Sequence, residues 1–337
     1  MKNSKANFAF SILLLFLFSC GIISKKGPNE YTQKIQYSKT EKVHARAITA
    51  SDKELIIAAS DGNVYFYPKE SKQVYSLFPS PKKEYRDVIF NENKIVILAS
   101  GDSSEVTSYK LTNADKLYIT PFDGTFLDGM DFFGNVIFLM GDPKNEHFSL
   151  YTSEDWGETW QVIKNPPNAF AGEAGFAASG TNVKAMSQYE YLFVSGGDSS
   201  RFFKTVNSGE TWMSNSMGFP SCPTCGAYSF VVTKKSTIVA VGGDYLKPNQ
   251  SEGTCRISND GGKTWKSPKI NPTGYRSNIT EIEGVLYCCG TNGIDYSKNQ
   301  GKTWLHFADG NYFTLCKFDN QLAASSTQGS IYLFKLK

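Results

Sequence analysis

Histidine and arginine are both scarce in this 337-residue chain, with three of the first and five of the second. His44, His147 and His306 lie far apart, which excludes the clustered spacing of a zinc motif. No metal and no cofactor are expected. The lysines are scattered, the formal net charge is only +3, and no basic stripe points to nucleic acid. Also missing is an apolar run of the roughly 20 residues that a spanning helix needs. The run over residues 6–18 falls short of it.

That run follows Lys2 and Lys5 and leads into Leu17-Phe18-Ser19-Cys20-Gly21. The layout is that of an export signal, and its end resembles a bacterial lipobox. On this reading residues 1–19 are a lipoprotein signal peptide, Cys20 is lipidated, and residues 20–30 are a lipidated cysteine with a polar tether. The alternative is an ordinary signal peptide with a coincidental Cys. Acyl chains at about 0.8 kcal/mol per buried methylene hold a protein on a membrane without a spanning helix. The expected location is the bacterial cell envelope, at the outer membrane, facing periplasm or surface. Residue 22 is Ile and not Asp, so nothing resembles the usual inner-membrane retention signal.

What the chain does have is a repeat. The pattern Ser/Thr-x-Asp/Asn-x-Gly-x-Thr-Trp occurs four times, over residues 153–160, 205–212, 258–265 and 297–304. All five tryptophans fall in these boxes. Asp155, Asn207, Asp260 and Asn299 are short side chains that can accept hydrogen bonds from backbone N–H groups of their own turn. Gly157, Gly209, Gly262 and Gly301 supply a positive φ at low cost. Trp160, Trp212, Trp265 and Trp304 bring large apolar area to bury against an adjoining unit. The boxes therefore read as structural elements.

Each box follows three short β-rich runs and precedes a fourth, the unit of a propeller blade. The same rhythm continues where the box has decayed, as in residues 45–67 and 86–109. Repeats at this period predict an all-β, seven-bladed β-propeller over residues 31–337. The last blade lacks a fourth strand, so residues 31–37 are expected to pair there and hide both open edges.

Aligning the first strands puts Arg46, Arg86, Asp128, Glu173, Tyr228, Arg276 and Tyr312 at equivalent positions. If these converge at the mouth of the central channel, two readings stand. The guanidinium forks suit bidentate binding of carboxylate or phosphate, or they salt-bridge to Asp87, Asp128 or Glu173 and clamp the ring. Cys222-Pro223-Thr224-Cys225 reads as a local loop disulfide, with a redox role as the alternative. Cys289 with Cys316 is a candidate bridge between neighbouring blades.

The boxes resemble the Asp-box, or BNR, repeats of sialidases, sortilin-type receptors and photosystem II stability/assembly-factor propellers. Residues 126–132, Gly141-Asp142-Pro143, residues 172–181, Gly242-Gly243-Asp244-Tyr245 and Gly274-Tyr275-Arg276-Ser277 extend the resemblance to bacterial lipoproteins akin to the last group. It implies a non-catalytic binding or assembly module, monomeric, presenting its rim to an envelope protein or an anionic small ligand. Members are often labelled oxidoreductase or glycosyl hydrolase-like without a visible active site. The competing expectation is a sialidase-like glycoside hydrolase using Asp128, Glu173, Tyr228 and Tyr312. Against it, no Phe/Tyr-Arg-Ile-Pro motif stands near the mature start.

Overall fold

Several segments are almost wholly apolar, such as Leu55 to Ala59, Ile95 to Ala99 and Leu286 to Cys289, and they are buried along their length. A strand of this kind has no solvent face, so its sheet must be covered on both sides. The computed structural model describes residues 29–77, 83–91, 93–111 and 115–337. The leader over 1–19, Cys20 and the tether to residue 28 lie outside the described residues. The protein is all-β, with seven small antiparallel sheets around an axis, a seven-bladed β-propeller.

The first strands of the blades are Ala45–Ala50, Tyr85–Phe90, Leu127–Phe133, Val183–Ala185, Ala227–Val232, Asn278–Ile282 and Tyr312–Phe318. They neighbour one another in a ring, the first of them touching both the second and the seventh. Gln33–Gln36 pairs with Ser330–Lys335, Gln33 opposite Leu333 and Gln36 opposite Ser330, and completes the seventh blade. Blade five is the exception, with three strands and a single bridge from Ile257 to Lys266 in place of the fourth.

Apolar clusters lie between blades rather than inside them. One joins Val96, Leu98 and Val106 of blade two to Leu127, Ile137 and Leu139 of blade three. The boxes sit at these seams. In the box of blade five, Asp260 Oδ1 accepts from the N–H groups of Lys263 at 3.1 Å and Thr264 at 2.9 Å, and Ser258 Oγ accepts from Gly262 N–H at 2.9 Å. Asp155, Asn207 and Asn299 bind their own turns in the same way. Each box tryptophan then packs on the preceding blade: Trp160 against Phe122, Trp212 against Phe138, Trp265 against Phe202, and Trp304 in a cluster with Val239.

The box glycine has two reasons to be glycine. Gly262 has φ +89°, and a Cβ there would lie 2.2 Å from the Phe202 ring of blade four. Its neighbour Gly261 has φ +74° but open space around it. The pair separates backbone strain from packing. Gly261→Ala is expected to destabilise by about 1–2 kcal/mol, the cost of a left-handed side chain. Gly262→Ala is expected to lose about 3 kcal/mol or more, because overpacking adds to strain. Denaturant unfolding of the two variants measures the difference; equal losses would refute the close approach between blades.

Candidate functional site

The axial channel is blocked by the protein's own chain. Glu173–Ala174 pairs with Gly196–Gly197, and the chain then crosses the channel before entering blade four at Val183. Gly175 N–H donates to Asp142 of blade three at 2.9 Å, and Ala177 carbonyl accepts from Arg86 Nη1 of blade two at 3.1 Å. Ser179 Oγ donates to the Ser277 carbonyl of blade six at 2.8 Å, and Thr181 Oγ1 lies 2.6 Å from Ser229 Oγ of blade five. One short segment thus touches four blades. Its small residues are required by the space: a Cβ at Gly180 would lie 2.3 Å from the Asp87 carboxyl, and one at Gly175 would lie 2.2 Å from that of Asp128.

Above this plug lies a cavity of about 320 Å³. Its position follows from a bulge shared by the first strands, where the register skips Arg46, Arg86, Asp128 and Tyr228. An extra residue of this kind re-aims its side chain. Arg46, Arg86, Tyr228, Ser277 and Phe313 meet at the cavity, with Ala177 and Ala178 of the plug below them. Arg46 and Arg86 form one side. Phe176, stacked on Tyr228 at 4.2 Å, and Tyr275, edge-on to Tyr228 at 4.8 Å, form the other.

The two arginines share one counter-ion. Glu84 lies 3.1 Å from Arg86 Nη2, 3.8 Å from Arg46 Nε and 3.6 Å from His44 Nε2. The His44 hydrogen bond, followed by the charges of Arg86 and Arg46, holds the Glu84 carboxyl down at about 2, with partial burial opposing. Arg46 Nε and Arg86 Nε are buried without a hydrogen-bond partner. Burial and the neighbouring Arg86 lower the Arg46 pKa.

Three of the aligned residues are not at this cavity, which corrects the expected rim. Glu173 is buried in an ion pair with Arg201 at 2.5 Å, and Arg201 lies between Phe170 and Phe203. The inner strand of blade four begins only at Val183, so Glu173 belongs to the entry of the plug. Arg276 is fully buried. It pairs with the Asp295 carboxylate and donates to the Tyr275 carbonyl at 2.7 Å and Asn292 Oδ1 at 2.6 Å. It clamps blade six, with a partner none of the expected carboxylates supplied. Asp128 is buried beneath the plug, its carboxyl against Gly175.

Tyr228 and Tyr312 do line the cavity, but their hydroxyls donate to the carbonyls of Thr224 at 2.8 Å and Asp309 at 2.9 Å. Burial raises both phenols far above their ordinary range. Sequence alignment missed Tyr275, Tyr245, Phe176, Phe313 and Glu84, each within two residues of a selected position or inside a quoted motif. Cys222 and Cys225 are joined in a disulfide whose loop carries the Thr224 carbonyl. With Asp244 they form the one close Cys/Asp group among the described residues. Cys255, Cys288, Cys289 and Cys316 are free, so the expected Cys289–Cys316 bridge is absent.

No family model matches the chain, and no curated protein matches it. Solved structures do. The WD40 repeats of RRP9 align with TM-score 0.68 at 9% identity, over 92% of this chain and 99% of that one. U3-55K aligns with TM-score 0.67 at 10% identity, over 92% and 100%. The computationally designed Ika8 protein aligns with TM-score 0.60 at 10% identity, over 92% and 100%. The likeness is one of fold.

Around the plug, burial raises the pKa of Asp87 to about 8 and shifts Asp128 and Asp142 in the same direction. Between about pH 4 and 8 the folded protein therefore keeps protons that the unfolded chain has released, and stability falls as pH rises. Melting temperature is expected to be higher at pH 5 than at pH 8. Asp87→Asn combined with Asp128→Asn, neutral throughout, is expected to flatten the slope. Thermal unfolding across that range checks it; a slope unchanged by the double substitution would show that other groups set it.

Proposed function

We propose that this chain is a lipid-anchored module of the bacterial cell envelope, an Asp-box propeller akin to the photosystem II assembly-factor group. On this reading it binds rather than transforms, holding an anionic group of a protein or small ligand between Arg46 and Arg86. The observation that carries the reading is the charge count at the cavity. Two guanidiniums face one carboxylate, and a buried donor on each lacks a partner. Buried donors without acceptors are costly, and an arriving anion removes that cost.

The box geometry supports the family reading, and the plug supports a binding role by giving the cavity a fixed floor. Glu84 pairs with both arginines from outside the cavity's lining, which among the described residues contains no Asp or Glu. The carboxylates Asp128 and Glu173, which a glycoside hydrolase would need beside its substrate, lie beneath or away from it. Of the four residues the hydrolase reading needs, only Tyr228 and Tyr312 line the cavity, and their hydroxyls are bonded to backbone carbonyls.

Calorimetric titration with benzoate tests the site. Arg46→Ala and Arg86→Ala are each expected to weaken binding about tenfold or more, because a hydrogen bond to a charged group is worth about 1.5–3 kcal/mol. Glu84→Gln is expected to strengthen it, since the internal competitor is neutralised. A weaker Glu84→Gln variant would overturn the anion reading. For the anchor, Cys20→Ser is expected to move the chain from the membrane fraction to the soluble fraction of the envelope. A variant that still sediments with membranes would refute lipidation at Cys20.

A further inference from the structure

We propose that the cavity selects a monocarboxylate that also bears an aromatic ring, either a small aromatic acid or the C-terminal residue of a chain that ends in an aromatic amino acid. This rests on the anion-binding reading and narrows it. The cavity has two chemically different sides. Blades one and two contribute Arg46 and Arg86; the plug contributes Phe176, the first strand of blade five Tyr228, and the loops of blades five and six Tyr245 and Tyr275. A ligand that satisfies both sides is charged at one end and apolar at the other.

Ring faces and edges, rather than hydroxyls, dominate the apolar side. Tyr228 and Tyr312 spend their O–H groups on backbone carbonyls. Tyr275 lies edge-on to Tyr228 and to Tyr245, at 4.8 and 6.4 Å. Edge-to-face and offset-stacked partners favour another ring over an aliphatic body of equal size. At about 320 Å³ the space suits one ring and its carboxylate, near the lower end of small-molecule sites. The plug closes the far side, so a polymer cannot thread through and only a terminus or a small acid can enter.

Charge sets the valence. Arg46 and Arg86 against Glu84 leave one positive charge to be balanced. A monoanion neutralises it, whereas a dianion such as phosphate would leave a net negative charge beside Glu84. A planar carboxylate also matches the guanidinium fork. Tyr245 is 48% exposed and Leu246 68% exposed at the rim, where the body of a longer ligand would continue.

The test titrates the full-length chain, in detergent, with N-acetylphenylalanine, its C-terminal amide, N-acetylglycine and inorganic phosphate. N-acetylphenylalanine is expected to bind at least about tenfold more tightly than the other three, the order of one lost charged hydrogen bond or one lost ring contact. Tyr245→Ala, at an exposed position, is expected to weaken N-acetylphenylalanine while leaving N-acetylglycine unchanged. If N-acetylglycine or phosphate binds as tightly as N-acetylphenylalanine, and Arg46→Gln abolishes both, the anion site stands and the aromatic selectivity falls. If no probe binds in an Arg46-dependent way, both readings fall. A hexapeptide ending in a free Phe carboxylate separates the two sources: tighter binding than N-acetylphenylalanine assigns a chain terminus, and equal binding assigns a small acid.

Discussion

Each sheet of this ring is buried on both faces, so none is stable without its two neighbours. The second strands, almost wholly apolar, leave no alternative. The molecule must therefore close, and it closes by completing the seventh sheet with residues 33–36 from the other end of the chain. The seams between sheets then do most of the stabilising. At four of them a box turn reaches back onto the preceding blade, with glycine at the point of contact and tryptophan beside it. The repeated geometry of the box follows from that approach: Ser258 and Gly262, at the point pressed against the neighbouring sheet, are buried and bonded to each other, while Asp260 holds the exposed part of the turn.

A closed ring leaves a hole on its axis, and the hole has been used rather than merely tolerated. Residues 175–181, small except for Phe176, fill it and bond to four blades. Filling brings Asp87, Asp128 and Asp142 out of water, and burial raises the pKa of each. It also converts an open tube into a shallow bowl. The arginines at the bowl's edge are then less well solvated than surface arginines, which is the condition under which a charged hydrogen bond counts for more.

The fold was legible because its determinants are local. A turn that needs particular residues at fixed offsets leaves a mark at every repeat, and four marks are enough to set the spacing. The site was legible only in part. Arg46, Arg86 and Tyr228 fall on the bulge and converge as aligned. Tyr312 falls just before the bulge of blade seven and Arg276 two residues ahead of the first strand of blade six, and Phe313 and Ser277 beside them reach the cavity as well. Arg276 lies ahead of the strand, where Asp295, Asn292 and the Tyr275 carbonyl take up its guanidinium as an internal clamp. Glu173 failed for another reason. The unusually long interval between it and Tyr228 concealed an insertion, and nothing in its composition distinguishes a channel plug from an irregular strand. Glu84 could not be found from the repeat at all, since its importance comes from proximity to two different blades.

The direction of the first described strand has a further consequence. Ser330 and Tyr312 lie toward the cavity end of blade seven, and Gln36 is paired with Ser330, so the chain runs toward the cavity from Gln33 to Gln36. The described residues just before it run along the outer circumference, where Asn29 donates to the Phe307 carbonyl of blade six. The closing strand is thereby tied across the seam between blades six and seven, at the circumference of the disc and away from the first strands that form the bowl.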